Sequence, residues 1–213
     1  MKAGKFITLE GGEGAGKTTQ AKRLKASLEA AGIETIMTRE PGGTFGAEAI
    51  RELVLSGSQD RWSGMTELLL MYAARLDHVD KLIKPALERG VWVICDRFSD
   101  SSMAYQGYAR GLGRERVGEL DKAVMGGFAP DLTIVFDIDP ILAQRRVKTR
   151  GEELSRFDGE ALEFHKVLRD AFLDIAKRNE GRVKLVDAAS SRDEIEAKIK
   201  HIMAKQFAGL TLG

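Results

Sequence analysis

Five short apolar runs punctuate this chain, and longer stretches with apolar residues three and four apart lie between them. The runs are KFITLE (5–10), ETIMTR (34–39), VWVICD (91–96), LTIVFD (132–137) and VKLVD (183–187). Most are nearly continuous rather than alternating, the pattern of parallel strands buried on both faces. Helical spacing covers 17–31, where Gly32 stops it, and then 66–89, 160–179 and 192–207. The turn signal EPGG closes the second strand run. Strand, helix, strand in repetition predicts an α/β fold of three layers: a five-stranded parallel sheet with right-handed crossovers, flanked by helices. No repeat, low-complexity tract or linker interrupts it, so a single domain over 1–213 is expected.

Composition narrows the function without deciding it. Hydrophobic residues make up 43% and charged residues 31%, with a formal net charge of +1, so no global field points to nucleic acid or a membrane surface. No apolar run approaches the roughly 20 residues of a membrane helix. The start, MKAGKFITLE, lacks the apolar stretch of a secretory leader, and a single cysteine, Cys95, builds no disulfide framework. A cytoplasmic location is expected. The three histidines, His78, His165 and His201, have no metal-site spacing.

Chemistry enters at 11–18, where GGEGAGKT fits G-x-x-x-x-G-K-[ST] between a predicted strand and a predicted helix. In such a P-loop the glycines let successive N–H groups turn toward phosphate oxygens, the lysine adds a mobile positive charge, and the Thr hydroxyl is a Mg²⁺ ligand. The helix N-terminus contributes its positive end. The expected ATP-binding set is Gly11, Gly12, Glu13, Gly14, Ala15, Gly16, Lys17, Thr18 and Thr19.

The loop alone does not say where the phosphate goes. The N-K-x-D tetrapeptide of GTPases is absent. Arg39 and Arg97 fall at the carboxyl ends of predicted strands, the edge where open α/β sheets bind ligands, and guanidinium forks suit a phosphate acceptor. Asp96, Asp137 and Asp187 also end strands. By position, Asp96 and Asp137 are equal candidates for an acid near Mg²⁺, directly or through its water shell. Met71 with Arg75, and Ser102 with Gln106, are helical i, i+4 pairs able to frame a flat heterocycle.

GGEGAGKTTQ, TREPGG (38–43), MYAAR (71–75), DRF (96–98), AYQG (104–107) and RGEELSRFD (150–158) together resemble bacterial thymidylate kinases. The resemblance implies ATP- and Mg²⁺-dependent phosphorylation of dTMP to dTDP, feeding dTTP synthesis, by a homodimer. It places Glu13 near the acceptor's sugar hydroxyl, and Arg39, Arg51 and Arg97 around its phosphate. Glu40 and Asp96, with Thr18, fall near the metal. Arg75, Ser102 and Gln106 fall at the thymine edge, with Tyr105 beside the sugar. Where the family often has an aromatic ring against thymine, this chain has Met71. A lid is implied at about 145–158. Positions 12–15 of the loop hold no arginine, so the lid is expected to supply one, Arg150 first, with Arg146 and Arg156 behind it. The implied catalytic set is Lys17, Arg97, Arg150 and Glu13. The rival readings are a kinase for another monophosphate, such as dUMP, dCMP or AMP, and a nucleotide-hydrolysing switch that needs no free acceptor.

Overall fold

The computed structural model describes residues 3–148, 157 and 160–213. Five strands, β1 (Phe6–Glu10), β2 (Thr35–Arg39), β3 (Trp92–Asp96), β4 (Leu132–Asp137) and β5 (Val183–Asp187), form one parallel sheet in the order β2-β3-β1-β4-β5. The register sets Ile7 between Ile94 and Leu132 and Leu9 between Asp96 and Ile134. All five expected strands are present, three starting one residue later than the apolar runs suggest.

Side chains along the central strands sort by twos between the faces. Ile7, Leu9, Ile94, Leu132, Ile134 and Phe136 pack against α1 (Lys17–Ala30) and the C-terminal helix Arg192–Gln206. Phe6, Val93 and Cys95 pack on the other side with Leu68, Tyr72 and Ile83. Both faces are therefore covered, which is why these strands read as apolar throughout. Each large side chain so buried contributes about 1.5–3 kcal/mol of apolar transfer free energy. The outer strands β2 and β5 are only partly buried.

The stretch 66–89 is not one α-helix. Helix α3 (Gly64–His78) widens into a π-helical turn over Val79–Ile83 before α4 (Lys84–Glu88). Pro85, with no N–H to return to the preceding turn, sits just beyond the wide turn and accounts for the break. The apolar pattern did not single out α2 (Phe45–Leu55), α5 (Ser99–Ser102) with its π-helical continuation Met103–Ala109, α6 (Arg114–Met125) or α7 (Pro140–Lys148). Apart from α2, they are short or polar: α6 buries only Val117 and Met125. Helices α8 (Leu162–Arg178) and α9 (Arg192–Gln206) complete the described chain. Among the described residues, no helix is long and apolar enough to cross a membrane.

Candidate active site

The loop between β1 and α1 lies at the carboxyl edge of the sheet, pressed against its neighbours. A Cβ at Gly11 (φ +129°) would sit 2.6 Å from the Phe136 carbonyl oxygen, and one at Gly14 (φ +72°) 2.5 Å from that of Ala143. Only glycine fits either place. Helix α1 then opens without a side-chain cap or an acidic residue in its first turn, leaving its N–H groups and positive end to a ligand. Lys17 is buried, and its Nζ donates to the carbonyls of Gly11 (3.1 Å) and Gly12 (2.8 Å). Burial, then the nearby Arg97, pull its pKa down.

Partners separate the three strand-ending acids. Asp137 takes Arg169 in a two-pronged pair (2.6 and 3.1 Å), and Asp187 accepts from the Ala189 N–H. Asp96 alone of the three meets the loop, accepting from Thr18 Oγ1 at 2.9 Å. A hydroxyl beside a carboxylate suits Mg²⁺, which takes one or two protein oxygens and completes its shell with water and phosphate. Consistently, no group of three or more His, Cys, Asp or Glu exists among the described residues that could cage a metal. Glu40 faces the same cleft with both oxygens engaged, one by Arg75 Nε (2.7 Å) and one by His78 Nδ1 (3.1 Å).

A cleft of about 320 Å³ joins this loop to the arginines. Glu13, Lys17, Thr18 and Asp96 line it together with Arg39, Arg51 and Arg97. Arg97 has a left-handed backbone (φ +74°), a strained conformation for a residue with a side chain. That turn sends its guanidinium back across the loop to the Gly11 carbonyl (2.9 Å), Ser101 Oγ (3.2 Å) and Glu13 (2.6 Å). Burial pulls the pKa of Arg97 down, but Glu13, Tyr105, Asp96 and Glu10 together outweigh that pull and raise it. Burial likewise acts to raise Glu13, and Arg97 and Lys17 overcome it to bring the carboxyl down to about 2. Arg39 leans on Glu48 (3.0 Å), and Arg51 donates to the Pro41 carbonyl (2.7 Å). Burial and then Arg39 lower the pKa of Arg51, a sign of cations crowded together.

Behind the cleft lies a second layer. Met71, Tyr105 and Phe157 line the cleft itself, with the Tyr105 hydroxyl donating to Glu13 (3.1 Å). Arg75, Ser102 and Gln106 are fully buried and are not on its wall. Arg75 Nη2 donates to Ser102 Oγ and to the Phe98 carbonyl, both at 3.0 Å, and Gln106 donates to Glu67 (2.7 Å). One donor, Arg75 Nη1, and one acceptor, Gln106 Oε1, stay without a hydrogen-bond partner.

The sequence reading left out Phe157, Leu55 and Ser101, which line the cleft, and Glu10 beneath it. Glu10 accepts from the Phe98 N–H (2.7 Å) and Ser101 Oγ (2.5 Å), bracing the turn that carries Arg97. A carboxylate closing an apolar strand one residue before the loop was the available signal. Of the lid arginines, Arg146 donates to the Ala188 carbonyl (2.8 Å) and Arg145 is exposed, while Arg150 and Arg156 lie outside the described residues.

The comparisons with known proteins agree with this geometry. A model of the thymidylate kinase family matches residues 9–199. The thymidylate kinase of Caulobacter vibrioides is 46% identical over 207 residues, 97% of this chain and 99% of the relative. That of Hahella chejuensis is 46% identical over 209 residues, 98% of this chain and all of the relative. The crystal structure of thymidylate kinase from Ehrlichia chaffeensis superposes with a TM-score of 0.75 at 33% identity, covering 94% of this chain and 99% of that one. With this similarity running through loop, cleft and sheet alike, the chain belongs to the thymidylate kinase family.

Proposed function

We propose that the chain transfers the γ-phosphoryl group of ATP to dTMP, releasing ADP and dTDP, with the residues of the cleft in the following roles. The observation that carries them is the single cleft in which Lys17 and Thr18 face Arg39, Arg51 and Arg97. The loop N–H groups and Lys17 hold the β- and γ-phosphates of ATP. The three arginines hold the monophosphate so that one of its oxygens faces the γ-phosphorus in line. That oxygen is already ionised near neutral pH, so no general base is needed. Mg²⁺, held by Thr18 and Asp96, supplies charge neutralisation when bound. Lys17, Arg97 and a lid arginine, Arg150 first, meet the charge that develops during transfer. Glu13, ionised at any physiological pH, aligns Arg97 and Tyr105 and accepts from the sugar hydroxyl of dTMP. Glu40 serves the site by holding Arg75.

The base layer favours a thymine or uracil edge over that of cytosine. A free donor on Arg75 and a free acceptor on Gln106 suit the O4 and N3–H of thymine or uracil. Cytosine presents an amino group and a bare nitrogen there, the reverse polarity, and would leave both protein atoms unpaired. Met71 and Phe157 supply apolar contact.

The active form is a homodimer in the cytoplasm. Met65, Leu69 and Leu76 lie exposed on one stripe of α3, and Phe45, 97% exposed, and Leu53 are exposed on α2. An apolar face of this kind fits a second copy of itself. Sedimentation at micromolar concentration should give twice the chain mass.

The direct test is ADP release from ATP and Mg²⁺ with dTMP, dUMP, dCMP, AMP or GMP. Turnover should be greatest with dTMP. Equal turnover with dCMP would overturn the base layer, and release indifferent to every acceptor would overturn the kinase.

A further inference from the structure

We propose that the cavity between α7, α8 and the back of the P-loop is a second ligand site, taking a neutral single-ring aromatic molecule with one hydroxyl, and that its occupation slows phosphoryl transfer. The cavity measures about 160 Å³. A dry apolar cavity of about 150 Å³ is enough to bind benzene. Val135, Phe136, Ile138, Ala143, Val147 and Phe172 supply most of the wall.

Its polar groups define the occupant. Asp137 and Arg169 face it but neutralise each other, and Gln144 is neutral, so these side chains among the described residues offer no net charge to an ionic ligand. Glu13, on the rim, is charge-paired with Arg97, and its bonds from Arg97 and Tyr105 both fall on Oε1. His165 Nε2 is buried and makes no hydrogen bond. A hydroxyl both donates and accepts, so it satisfies that nitrogen in either tautomer. A ring for the apolar wall plus one hydroxyl for His165 is a phenol.

The cavity differs from the nucleotide cleft, sharing only Glu13 with it. The mechanical link is α7. Gly14 of the loop packs on this helix so closely that a Cβ would lie 2.5 Å from the Ala143 oxygen and 3.0 Å from Val147 Cγ2. Arg146 pins the same helix to the Ala188 carbonyl, leaving it little freedom to yield elsewhere. Packed interiors transmit small displacements rather than absorb them. A ring wedged between α7 and α8 therefore moves Gly14, and with it the seat of the ATP phosphates, while the acceptor arginines on β2, α2 and the β3–α5 turn stay in place.

The test uses p-cresol and toluene on the full chain, with binding followed by chemical-shift titration and turnover by ADP release. Saturable binding of p-cresol is expected, with kcat falling and KM for dTMP unchanged. His165→Phe should weaken p-cresol about 2- to 10-fold, the worth of one hydrogen bond, and leave toluene as it was. Leu173→Trp, which fills the cavity from α8, should abolish binding of both, and thermal midpoints confirm that the variants fold. Saturation by neither probe would overturn the site. So would competition of p-cresol with dTMP, or binding that survives Leu173→Trp. Binding without loss of kcat would overturn the link through α7.

Discussion

The two ends of the nucleotide cleft use the same side chain in opposite ways. At the phosphate end Arg39, Arg51 and Arg97 gather with Lys17, and crowding by Arg39 helps lower the pKa of Arg51. At the base end Arg75 is almost wholly buried, yet Glu40 holds it charged against the pull of burial, which acts the other way. An arginine among other cations is an anion site kept at some electrostatic cost. One locked to a buried carboxylate is a framework piece that presents a single remaining nitrogen, Nη1. Guanidinium chemistry alone thus says little, and the company each group keeps decides its work.

Removing cations from the open end should damage catalysis, and where the cation's pair is exposed, as at Arg39, it should spare the fold. Arg97→Ala is expected to lower kcat/KM by about 10³, or about 4 kcal/mol of transition-state stabilisation, in steady-state assays. Arg97→Lys should recover little, since a point charge cannot replace the fork. At the closed end the damage should reverse. Glu40→Ala strands Arg75 and His78 and should cost about 3–5 kcal/mol in urea unfolding. Arg39→Ala, at an exposed pair, should change stability by less than about 1 kcal/mol while raising KM for dTMP. Equal stability losses in those two variants would erase the contrast.

Two smaller effects sharpen it. Burial and Asp100 raise the pKa of Glu10 from 4.5 to about 7. The folded state therefore holds this proton more tightly than the unfolded chain, and Glu10's contribution to stability falls as pH rises from about 4.5 to about 7. Glu10→Gln should remove that slope in urea titrations across the window. Met71→Phe should restore an aromatic face to the base end and lower KM for dTMP a few-fold, as about 0.5–1.5 kcal/mol of ring contact would.

The legible parts were those written in local spacing. Backbone geometry demands glycines and a lysine at fixed offsets, so the loop could be read directly, and full burial of the central strands made their apolar runs plain. What could not be read depends on partners far along the chain. Asp96 and Asp137 close equivalent strands, and their positions alone leave them equal; the family resemblance favours Asp96, and the partners Thr18 and Arg169 separate them in space. Arg75 and Gln106 share a layer, but that Glu40 and Glu67 each occupy part of their hydrogen-bonding capacity shows only after folding. Phe157, the aromatic ring near Met71, comes from 86 positions further on and carries no periodic signal of its own.

The Gly11 oxygen accepts from Lys17 Nζ, proposed above to hold the donor, and from Arg97 Nη1, proposed to hold the acceptor. It is a common datum from which both reactants are measured. A displacement of that oxygen would carry both cations with it, so the gap between the phosphates they are proposed to hold would change less than either position. Precision in this enzyme is thus a matter of shared origin, and it does not require the whole scaffold to be stiff.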